Sequence, residues 1–383
     1  AQSVSESAGT ANVTVTRTQT TGTATVDYAS GGGTATSNVD YSAVSGTLSF
    51  ADGEASATIP VAITNDSINE ASETFEITLS NATSQYGGVS ITGANPHVVT
   101  ITNDDNTEVA FSSATSSVNE NAGAATITVT RDKTNGVASV NYSTSDGTAT
   151  AADSDYTQAI SETLTFADGE ASKDISILIP NDSKNENDET FSVTLNSVNC
   201  EFGTGTVGMH STHTVTITNE DVSNLSFAVQ GGTSVSENAG TVDIVVNRSD
   251  TNGTAEVTYS TSNDTADQGS DYTEISNATL SFADGQASAT ISVSILNDSV
   301  NEDSETFKVT LIKATSQYGA INVTGTNPHV VTITNDDSST LGFDSASSKA
   351  IEGSSGTSTH SITISRTDTN GTASVNYATG GGT

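Results

Sequence analysis

An internal repeat with a step of 116 residues constrains this sequence more than any other feature. The segment "FADGE" at Phe50 returns at Phe166, and "FADGQ" follows at Phe282. The segments "TITNDD", "TITNED" and "TITNDD" close successive units at residues 105, 221 and 337. Such a period indicates a tandem array. We predict domains at 1–106, where the lead-in segment of the later units is missing, at 107–222 and at 223–338, and the start of a truncated fourth at 339–383.

Apolar and polar residues alternate in short runs inside each unit. Val13 and Val15 alternate with asparagine and threonine, and Ile59, Val61 and Ile63 follow the same pattern. A period of two, interrupted by turns rich in Gly, Asn and Asp, is typical of strands that bury one face. Apolar residues make up 33% of the chain, which suits several small cores better than one large core. We therefore predict an all-β fold, a tandem array of seven-stranded antiparallel immunoglobulin-like β-sandwiches.

The charge of the chain excludes two classes of partner. There are 46 acidic and 10 basic residues, for a formal net charge of −36. Such a surface repels nucleic acid phosphates and anionic membranes, so we expect neither as a partner. No run approaches the 18 apolar residues of a membrane-spanning helix, and we expect no membrane insertion in this segment. Cys200 is the one cysteine, so a disulfide framework within the chain is impossible.

Acidic residues recur at four places in each unit, and each place lies at a predicted strand end. In the first unit these residues are Glu6, Asp40, the group Asp66, Glu70 and Glu73, and the pair Asp104 and Asp105. Alternate strand ends of a sandwich share one pole, so we expect these carboxylates to converge there. Crowded carboxylates raise one another's pKa values.

Bound cations would relieve this repulsion. Calcium takes six to eight oxygen ligands and tolerates irregular geometry, whereas magnesium needs a tighter octahedron. With 5 histidines and one cysteine in the chain, zinc and copper are disfavoured. A solvated acidic pole without a specific metal is the alternative. The threefold recurrence of the same four-part pattern favours a metal site.

Three segments of the first unit carry a family resemblance. "FADGE", "NDSINEASETFEITL" and "VTITNDD" resemble the Calx-β domain, which is known from sodium–calcium exchangers, an integrin subunit and many bacterial surface proteins. The resemblance covers all three complete units. It implies calcium at one pole, held by a glutamate near the first strand, an aspartate after the third, an acidic E–F loop and aspartates after the last strand. Carried over, the implied ligands are Glu6, Asp40, Asp66, Glu70, Glu73, Asp104, Asp105, Glu120, Asp155, Asp182, Glu186, Glu189, Glu220, Asp221, Glu237, Asp271, Asp298, Glu302, Glu305, Asp336 and Asp337, with Ile68 contributing its backbone carbonyl.

The sequence departs from the exchanger pattern at one kind of position. Where the strongest exchanger sites begin an acidic segment with aspartate, this chain has Asn65, Asn181, Asn297, Asn103, Asn219 and Asn335. Fewer carboxylates imply fewer ions or weaker binding. We expect dissociation constants on the order of 10⁻⁴ to 10⁻³ M, or somewhat tighter.

Other residue patterns favour structure over chemistry. His97 and His329 occupy the same repeat position, which indicates a packing role. Tyr86 and Tyr318 lie in a longer predicted hairpin that is a candidate for lateral contacts. The sequence contains neither a nucleophile elbow nor a phosphate loop. We predict that the chain is not an enzyme.

These observations favour a structural extracellular protein of the cell surface. Calcium at each pole would stiffen a string of modules into a fibre, filament or adhesin stalk, whose partners are calcium ions, neighbouring Calx-β modules and other copies of the chain. A calcium-sensing regulatory module, as in exchangers, is the first alternative. A glycan- or ligand-binding ectodomain is the second.

Overall fold

The computed structural model describes residues 1–381, and within that range the regular elements are strands and three short 3-10 helices. Residues 382 and 383 of the predicted fourth domain lie outside the described residues. The first repeat contains β1 (Gln2–Ser5), β2 (Thr10–Thr16), β3 (Ala24–Gly31), β4 (Ser45–Phe50), β5 (Ser56–Ala62), β6 (Glu73–Ser84) and β7 (His97–Thr102). The 3-10 helices are Glu6–Ala8, Glu120–Ala122 and Glu237–Ala239.

The second and third repeats contain nine strand segments each. Those of the second are β8 (Asn106–Phe111), β9 (Thr115–Asn119), β10 (Ala124–Arg131), β11 (Ala138–Asp146), β12 (Glu162–Phe166), β13 (Ser172–Leu178), β14 (Glu189–Cys200), β15 (Thr204–Val207) and β16 (Thr212–Thr218). Those of the third are β17 (Val222–Phe227), β18 (Thr233–Ser236), β19 (Thr241–Arg248), β20 (Ala255–Asn263), β21 (Ala278–Phe282), β22 (Ser288–Ser294), β23 (Glu305–Ser316), β24 (Ala320–Val323) and β25 (His329–Thr334). The short hairpin of β26 (Leu341–Phe343) and β27 (Ile364–Arg366) follows.

The second and third repeats are each a sandwich of a four-stranded and a five-stranded sheet, which confirms the predicted fold class. The second repeat has the orders β13-β10-β8-β15 and β12-β11-β14-β16-β9. The third repeat has the same arrangement. Seven strands account for the nine segments because the first and last strands each cross from one sheet to the other.

These two divided strands correct one detail of the prediction. β8 pairs with β15 and β9 pairs with β16 in parallel, so the sandwich is not purely antiparallel. The first and last strands of a repeat run in the same direction and lie side by side at the sheet edges. Alternation of apolar residues reports which face is buried, but it does not report which strands are neighbours.

The first repeat has a smaller second sheet. Its five-stranded sheet has the order β1-β7-β6-β3-β4, and β2 pairs with β5 alone. No strand is formed by residues 89–96, where the later repeats place the first half of the last strand. In the second repeat that half-strand, β15, pairs in parallel with the lead-in strand β8. The described first repeat contains no counterpart of β8, so residues 89–96 have no such strand to pair with.

A stacked pair of aromatic rings anchors each core. Tyr41 stacks on Phe75 with ring centroids 4.4 Å apart, and the second repeat stacks Tyr156 on Phe191 at 4.2 Å. Each tyrosine follows the aspartate of an Asp-Tyr pair. Because Tyr41 is 2% exposed, its burial fixes the backbone of Asp40 at the rim of the sandwich. A core contact thus positions a predicted ligand.

The repeated histidine is a packing residue, as the sequence indicates. His329 is 2% exposed, lies 4.9 Å from the Phe227 ring and hydrogen-bonds Thr233 at 2.9 Å. Burial lowers the pKa of His329, which keeps the imidazole neutral.

A buried arginine organises the loops at the other end of the sandwich. Arg131 is 5% exposed and donates to the carbonyls of Thr134, Gly136, Ala167 and Glu170 at 2.6–3.0 Å. These carbonyls belong to the loop after β10 and the turn after β12, so the guanidinium ties the two together. Backbone carbonyls, which carry no formal charge, satisfy its donors.

The chain divides into two compact units. One consists of Ala1–Asn181 with Asp188–Thr218, and the other of Asp182–Asn187 with the residues from Asn219 onward. The first unit holds the cores of repeats one and two, and the second unit holds that of repeat three. Within the described residues, no helix is both long and apolar enough to cross a membrane.

Candidate metal centre

Three acidic residues from distant parts of the sequence meet at one pole of the first repeat. Glu6, Asp66 and Asp105 each offer a carboxylate oxygen, and the three oxygens lie within 4.8 Å of one another. Glu6 begins a 3-10 helix after β1, Asp66 follows β5, and Asp105 follows β7. The predicted convergence of strand ends therefore occurs for these three carboxylates.

Backbone hydrogen bonds hold this first triad in place. The Asp66 N–H donates to Glu6 Oε1 at 2.7 Å, and the Ile68 N–H donates to Asp66 Oδ1 at 2.6 Å. Glu6 is only 6% exposed. Asp105 Oδ2 is buried and has no hydrogen-bond partner. A buried carboxylate oxygen without a donor is costly, and a cation at that position would satisfy it.

A second triad lies at the same pole. Asp40, Glu70 and Glu73 bring one oxygen each within 4.8 Å of the others. The Thr64 N–H donates to the Asp40 carbonyl at 2.9 Å, which ties the Asp40 loop to the segment after β5. The whole second triad and Glu6 of the first triad line one recess, together with Thr64, Ala71, Ile101 and Asn103.

The electrostatics of the recess oppose ionisation of its glutamates. Burial, a hydrogen bond with Asp40 and the charges of Asp40, Glu70 and Glu6 raise the pKa of Glu73 from 4.5 to about 7. Burial and neighbouring carboxylates also raise the pKa values of Glu6 and Glu70. Without a cation, the first repeat therefore keeps part of this site protonated near neutral pH.

The third repeat reproduces the arrangement. Glu237, Asp298 and Asp337 form a triad, and the Asp298 N–H donates to Glu237 Oε1 at 3.0 Å. Asp337 Oδ2 is buried without a partner, like its counterpart in the first repeat. Burial and a hydrogen bond with Asp271 raise the pKa of Glu305 to about 7. Burial, and then the charge of Asp298, raise the pKa of Glu302.

The predicted ligands of the second repeat divide between the two compact units. Glu120, Asp155 and Glu189 belong to the first unit, whereas Asp182, Glu186, Glu220 and Asp221 belong to the second unit. In the first unit, the Thr150 N–H donates to Asp155 Oδ2 at 2.6 Å.

Two of these residues have notable surroundings inside the second unit. Asp221 Oδ2 is buried without a hydrogen-bond partner, and burial followed by the charge of Glu220 raises the Asp221 pKa. Lys184 Nζ forms an ion pair with Glu186 Oε1 at 2.7 Å, so the acidic segment contains one positively charged side chain.

Some predicted ligands lie outside the triads described above. Asp104 Oδ2 accepts a hydrogen bond from the Ser5 hydroxyl at 3.2 Å, and Asp336 accepts one from the Asn238 amide. Ile68 donates its N–H to Asp66, and its carbonyl remains a predicted ligand. The roles of Asp104, Asp336 and Glu220 likewise stay predictions.

Sequence reasoning missed a set of buried asparagines beside the site. Asn69 is 1% exposed and donates to Thr107 Oγ1 at 2.7 Å and to the Phe202 carbonyl at 2.8 Å. Asn103 donates to Asn69 Oδ1 at 2.8 Å. Asn103 therefore replaces a possible carboxylate with a donor that holds Asn69, and Asn69 in turn joins the first repeat to the second. The available signal was the recurrence of this asparagine at 69, 185 and 301, with the repeat step.

A glycine makes this contact between repeats possible. Gly203 has a φ of +61°, and a Cβ there would lie 2.3 Å from the Asp105 carbonyl oxygen. The tip of the β14–β15 hairpin thus approaches the backbone of Asp105 so closely that a residue with a Cβ would clash there. Because β7 ends at Thr102 and β8 begins at Asn106, the two repeats share this joint without a flexible linker.

Carboxylate oxygens gathered around a recess, with one oxygen buried and unpaired, fit a hard divalent cation. The described triads contain neither histidine nor cysteine, which disfavours the softer transition metals. The donor set, the orphaned oxygens and the raised glutamate pKa values all favour bound positive charge.

The repeats match a known domain family. The family model described as "Calx-beta domain" matches residues 1–105, 102–221 and 219–338. Sodium/calcium exchanger 1 of Canis lupus familiaris is 32% identical over 224 residues, which cover 54% of this chain and 23% of the exchanger. Sodium/calcium exchanger 2 of Mus musculus is 32% identical over 188 residues, which cover 45% of this chain and 20% of the exchanger. The chain thus spans less than a quarter of the length of these relatives.

Solved structures of similar domains also match. A crystal structure of CBD12 from CALX1.2 is 23% identical, covers 59% of this chain and 99% of its own, and has a TM-score of 0.30. A crystal structure of the calcium binding domain CBD12 of CALX1.1 is 24% identical, covers 56% of this chain and 96% of its own, and also has a TM-score of 0.30. The three family-model matches span most of the sequence and coincide with the repeats. The chain therefore belongs to the Calx-beta domain family.

Proposed function

We propose that this chain is a calcium-responsive array, in which calcium bound at the pole of a repeat stabilises that repeat and fixes its joint to the next. The buried, unpaired Oδ2 of Asp105 carries the proposal, because it lies in a carboxylate triad and recurs at Asp221 and Asp337. A calcium-sensing or regulatory role is the function that this geometry supports best. The exchanger relatives support the same reading.

In the first repeat, Glu6, Asp66 and Asp105 would hold one ion, and Asp40, Glu70 and Glu73 would hold another. The positive charge of the ions would offset the repulsion among the carboxylates at that pole. Binding to the folded state alone stabilises a protein by about 2.7 kcal/mol when the free ligand is at 100 times its dissociation constant. We propose no catalytic role for these carboxylates.

Thermal unfolding of the metal-free chain, with and without calcium, tests this proposal. We expect the melting temperature to rise by several degrees in millimolar calcium, and by less in the same concentration of magnesium. Sodium chloride at equal ionic strength controls for screening of the −36 net charge. Equal stabilisation by sodium and calcium would show a solvated acidic pole with no specific site.

A second candidate function is mechanical. The direct continuation from β7 into β8 and the buried Asn69 contacts favour a stiff connection between the first two repeats. We propose, as the second candidate, an extracellular rod, fibre or adhesin stalk on the cell surface, whose modules contact neighbouring modules and other copies of the chain. The domain bounds 1–106, 107–222, 223–338 and 339–383 belong to this proposal.

Small-angle X-ray scattering distinguishes the two candidates. A mechanical rod keeps its maximum dimension when calcium varies between resting intracellular and extracellular levels, and it becomes flexible and shorter only when a chelator removes calcium completely. A sensor changes its dimension within the micromolar range. Sedimentation at rising protein concentration tests self-association separately, and a single monomeric species would oppose the filament.

A further inference from the structure

One loop position at the joints carries charges of opposite sign in different repeats. The position lies two residues after the arginine that holds the loop, and it is Lys133 in the second repeat, Asp250 in the third and Asp368 after β27. The loops have equal length, because the glycine that accepts a hydrogen bond from each arginine, at 136, 253 or 371, follows that arginine by five residues. Lys133 and Asp368 are therefore equivalent positions in equivalent loops.

The structure shows what the aspartate does at this position. Asp368 Oδ2 accepts a hydrogen bond from the Asn301 N–H at 3.2 Å, and its Oδ1 accepts one from Asn370 at 3.0 Å. Asn301 directly precedes Glu302 in the acidic segment of the third repeat. A loop that follows the third repeat thus places a carboxylate against the backbone of that repeat's acidic segment.

The same contact occurs a second time within the second compact unit. Asp250 Oδ2 accepts a hydrogen bond from the Asn185 N–H at 3.2 Å, next to Glu186. Each of the two aspartates thus places a negative charge on the backbone N–H of the residue that directly precedes a predicted ligand, Glu186 or Glu302.

We propose that this position sets how strongly each joint depends on divalent cations, an inference that rests on the proposed calcium-binding function. Where the position is aspartate, docking of the loop adds negative charge to an acidic pole, and a bound cation is needed to offset it. Where it is Lys133, the equivalent loop has a positive side chain, next to Asp132, in place of the aspartate that adds negative charge. Closure of the first joint therefore depends less on calcium than closure of the joint after the third repeat.

Linkage gives the converse effect on affinity. If calcium favours docking of an aspartate loop, then docking of that loop favours calcium by the same factor. Replacement of lysine by aspartate changes the local charge by two, and we expect calcium affinity at the first pole to rise about tenfold in Lys133→Asp. The reciprocal Asp368→Lys is expected to weaken calcium binding at the third pole by a similar factor.

Distance measurements between paired nitroxide labels test the proposal on the full chain. In a Cys200→Ser background, labels at Ser49→Cys and Thr165→Cys report the first joint, and labels at Ser281→Cys and Ser365→Cys report the joint after the third repeat. All four label positions are exposed. In chelator, we expect a narrow distance distribution for the first pair and a broad one for the second, which narrows when calcium is added.

The charge exchanges give the decisive comparison. Lys133→Asp should broaden the distance distribution of the first label pair in chelator, and added calcium should narrow it again. Asp368→Lys should narrow the distance distribution of the second label pair in chelator. Lys173→Asp makes the same charge change on exposed β13 and should leave both distributions unchanged.

Two further results would overturn the proposal in distinguishable ways. Suppose that equilibrium dialysis shows calcium uptake but neither Lys133→Asp nor Asp368→Lys changes the distance distributions. That result would refute this inference and leave the proposed function intact. Absence of calcium uptake by the unchanged chain would refute both.

Discussion

Replacement of Glu73 by glutamine should have opposite effects on the first repeat in the absence and presence of calcium. The Glu73 pKa is raised from 4.5 to about 7 by burial and by the hydrogen bond with Asp40. A pKa that differs by one between the folded and unfolded chains corresponds to about 1.4 kcal/mol, so ionised Glu73 opposes folding by about 3 kcal/mol before solvent screening. Glu73 is only half-buried, which reduces the figure to about 1–2 kcal/mol.

In chelator at pH 8, Glu73→Gln should therefore stabilise the first repeat by about 1–2 kcal/mol, because it removes a charge that the fold opposes. In saturating calcium the same change removes a ligand. A tenfold loss of affinity then lowers the calcium stabilisation by about 1.4 kcal/mol per ion. The substitution reverses the sign of its effect when calcium is added.

Hydrogen–deuterium exchange followed by mass spectrometry measures this effect repeat by repeat. Peptides from β6 and β7 report the first repeat, and those from β23 and β25 serve as an internal reference. Glu76→Gln on the same strand, outside both triads, is the matched control and should change protection little in either condition. If Glu73→Gln destabilised the first repeat equally in chelator and in calcium, Glu73 would be a structural hydrogen-bonding residue, and the calcium reasoning would fail.

Three further predictions follow from the same geometry. Glu73 and Glu305 have raised pKa values of about 7 in the folded chain, so their contribution to the stability of the cation-free fold is fully present below about pH 4.5 and is lost as the pH rises through 7. Chelator-treated protein should therefore melt at a lower temperature at pH 8 than at pH 5. Calcium should suppress this difference. Gly203→Ala should broaden the distances across the first joint, because its Cβ meets backbone at 2.3 Å, whereas Gly169→Ala, with φ +80° and open space, should carry only the conformational cost of about 1 kcal/mol. Arg131→Met should lower the free energy of unfolding by about 3 kcal/mol or more in urea titrations, since it leaves backbone carbonyls without donors, and Arg131→Lys should recover only part of the loss.

Much of the fold follows from local patterns in the sequence. The period-two runs predict the strands, and the repeat step predicts how many sandwiches there are. Pro60 indicates that β5 lies at a sheet edge, and in the structure β5 pairs with β2 alone. The parallel pairing of β9 with β16 could not be read in this way, because it depends on contacts between residues about 100 positions apart.

The acidic pole was predictable for a related reason. Glu6, Asp66 and Asp105 each lie next to a strand end, and the topology of a sandwich brings those ends together. The division of the carboxylates into two triads was not predictable, because it depends on loop hydrogen bonds such as that between Thr64 and Asp40.

The asparagines illustrate the limit of comparison by residue type. At the sequence level, Asn103 is a missing carboxylate and implies a weaker site. In the structure it donates to Asn69, which is buried in the joint between repeats. Asn69 in turn donates to the carbonyl of Phe202 in the following repeat, which is 133 residues away and carries no sequence signal.

Isothermal titration of the metal-free chain with calcium measures directly whether the acidic poles bind this ion. We predict saturable binding of about two ions per complete acidic pole, with release of protons at pH 7 as Glu73 and Glu305 ionise. Titration in buffers of different ionisation enthalpy measures those protons. A titration that shows only the heat of dilution, or heat that sodium chloride at equal ionic strength abolishes, would show that the acidic poles hold no specific calcium site.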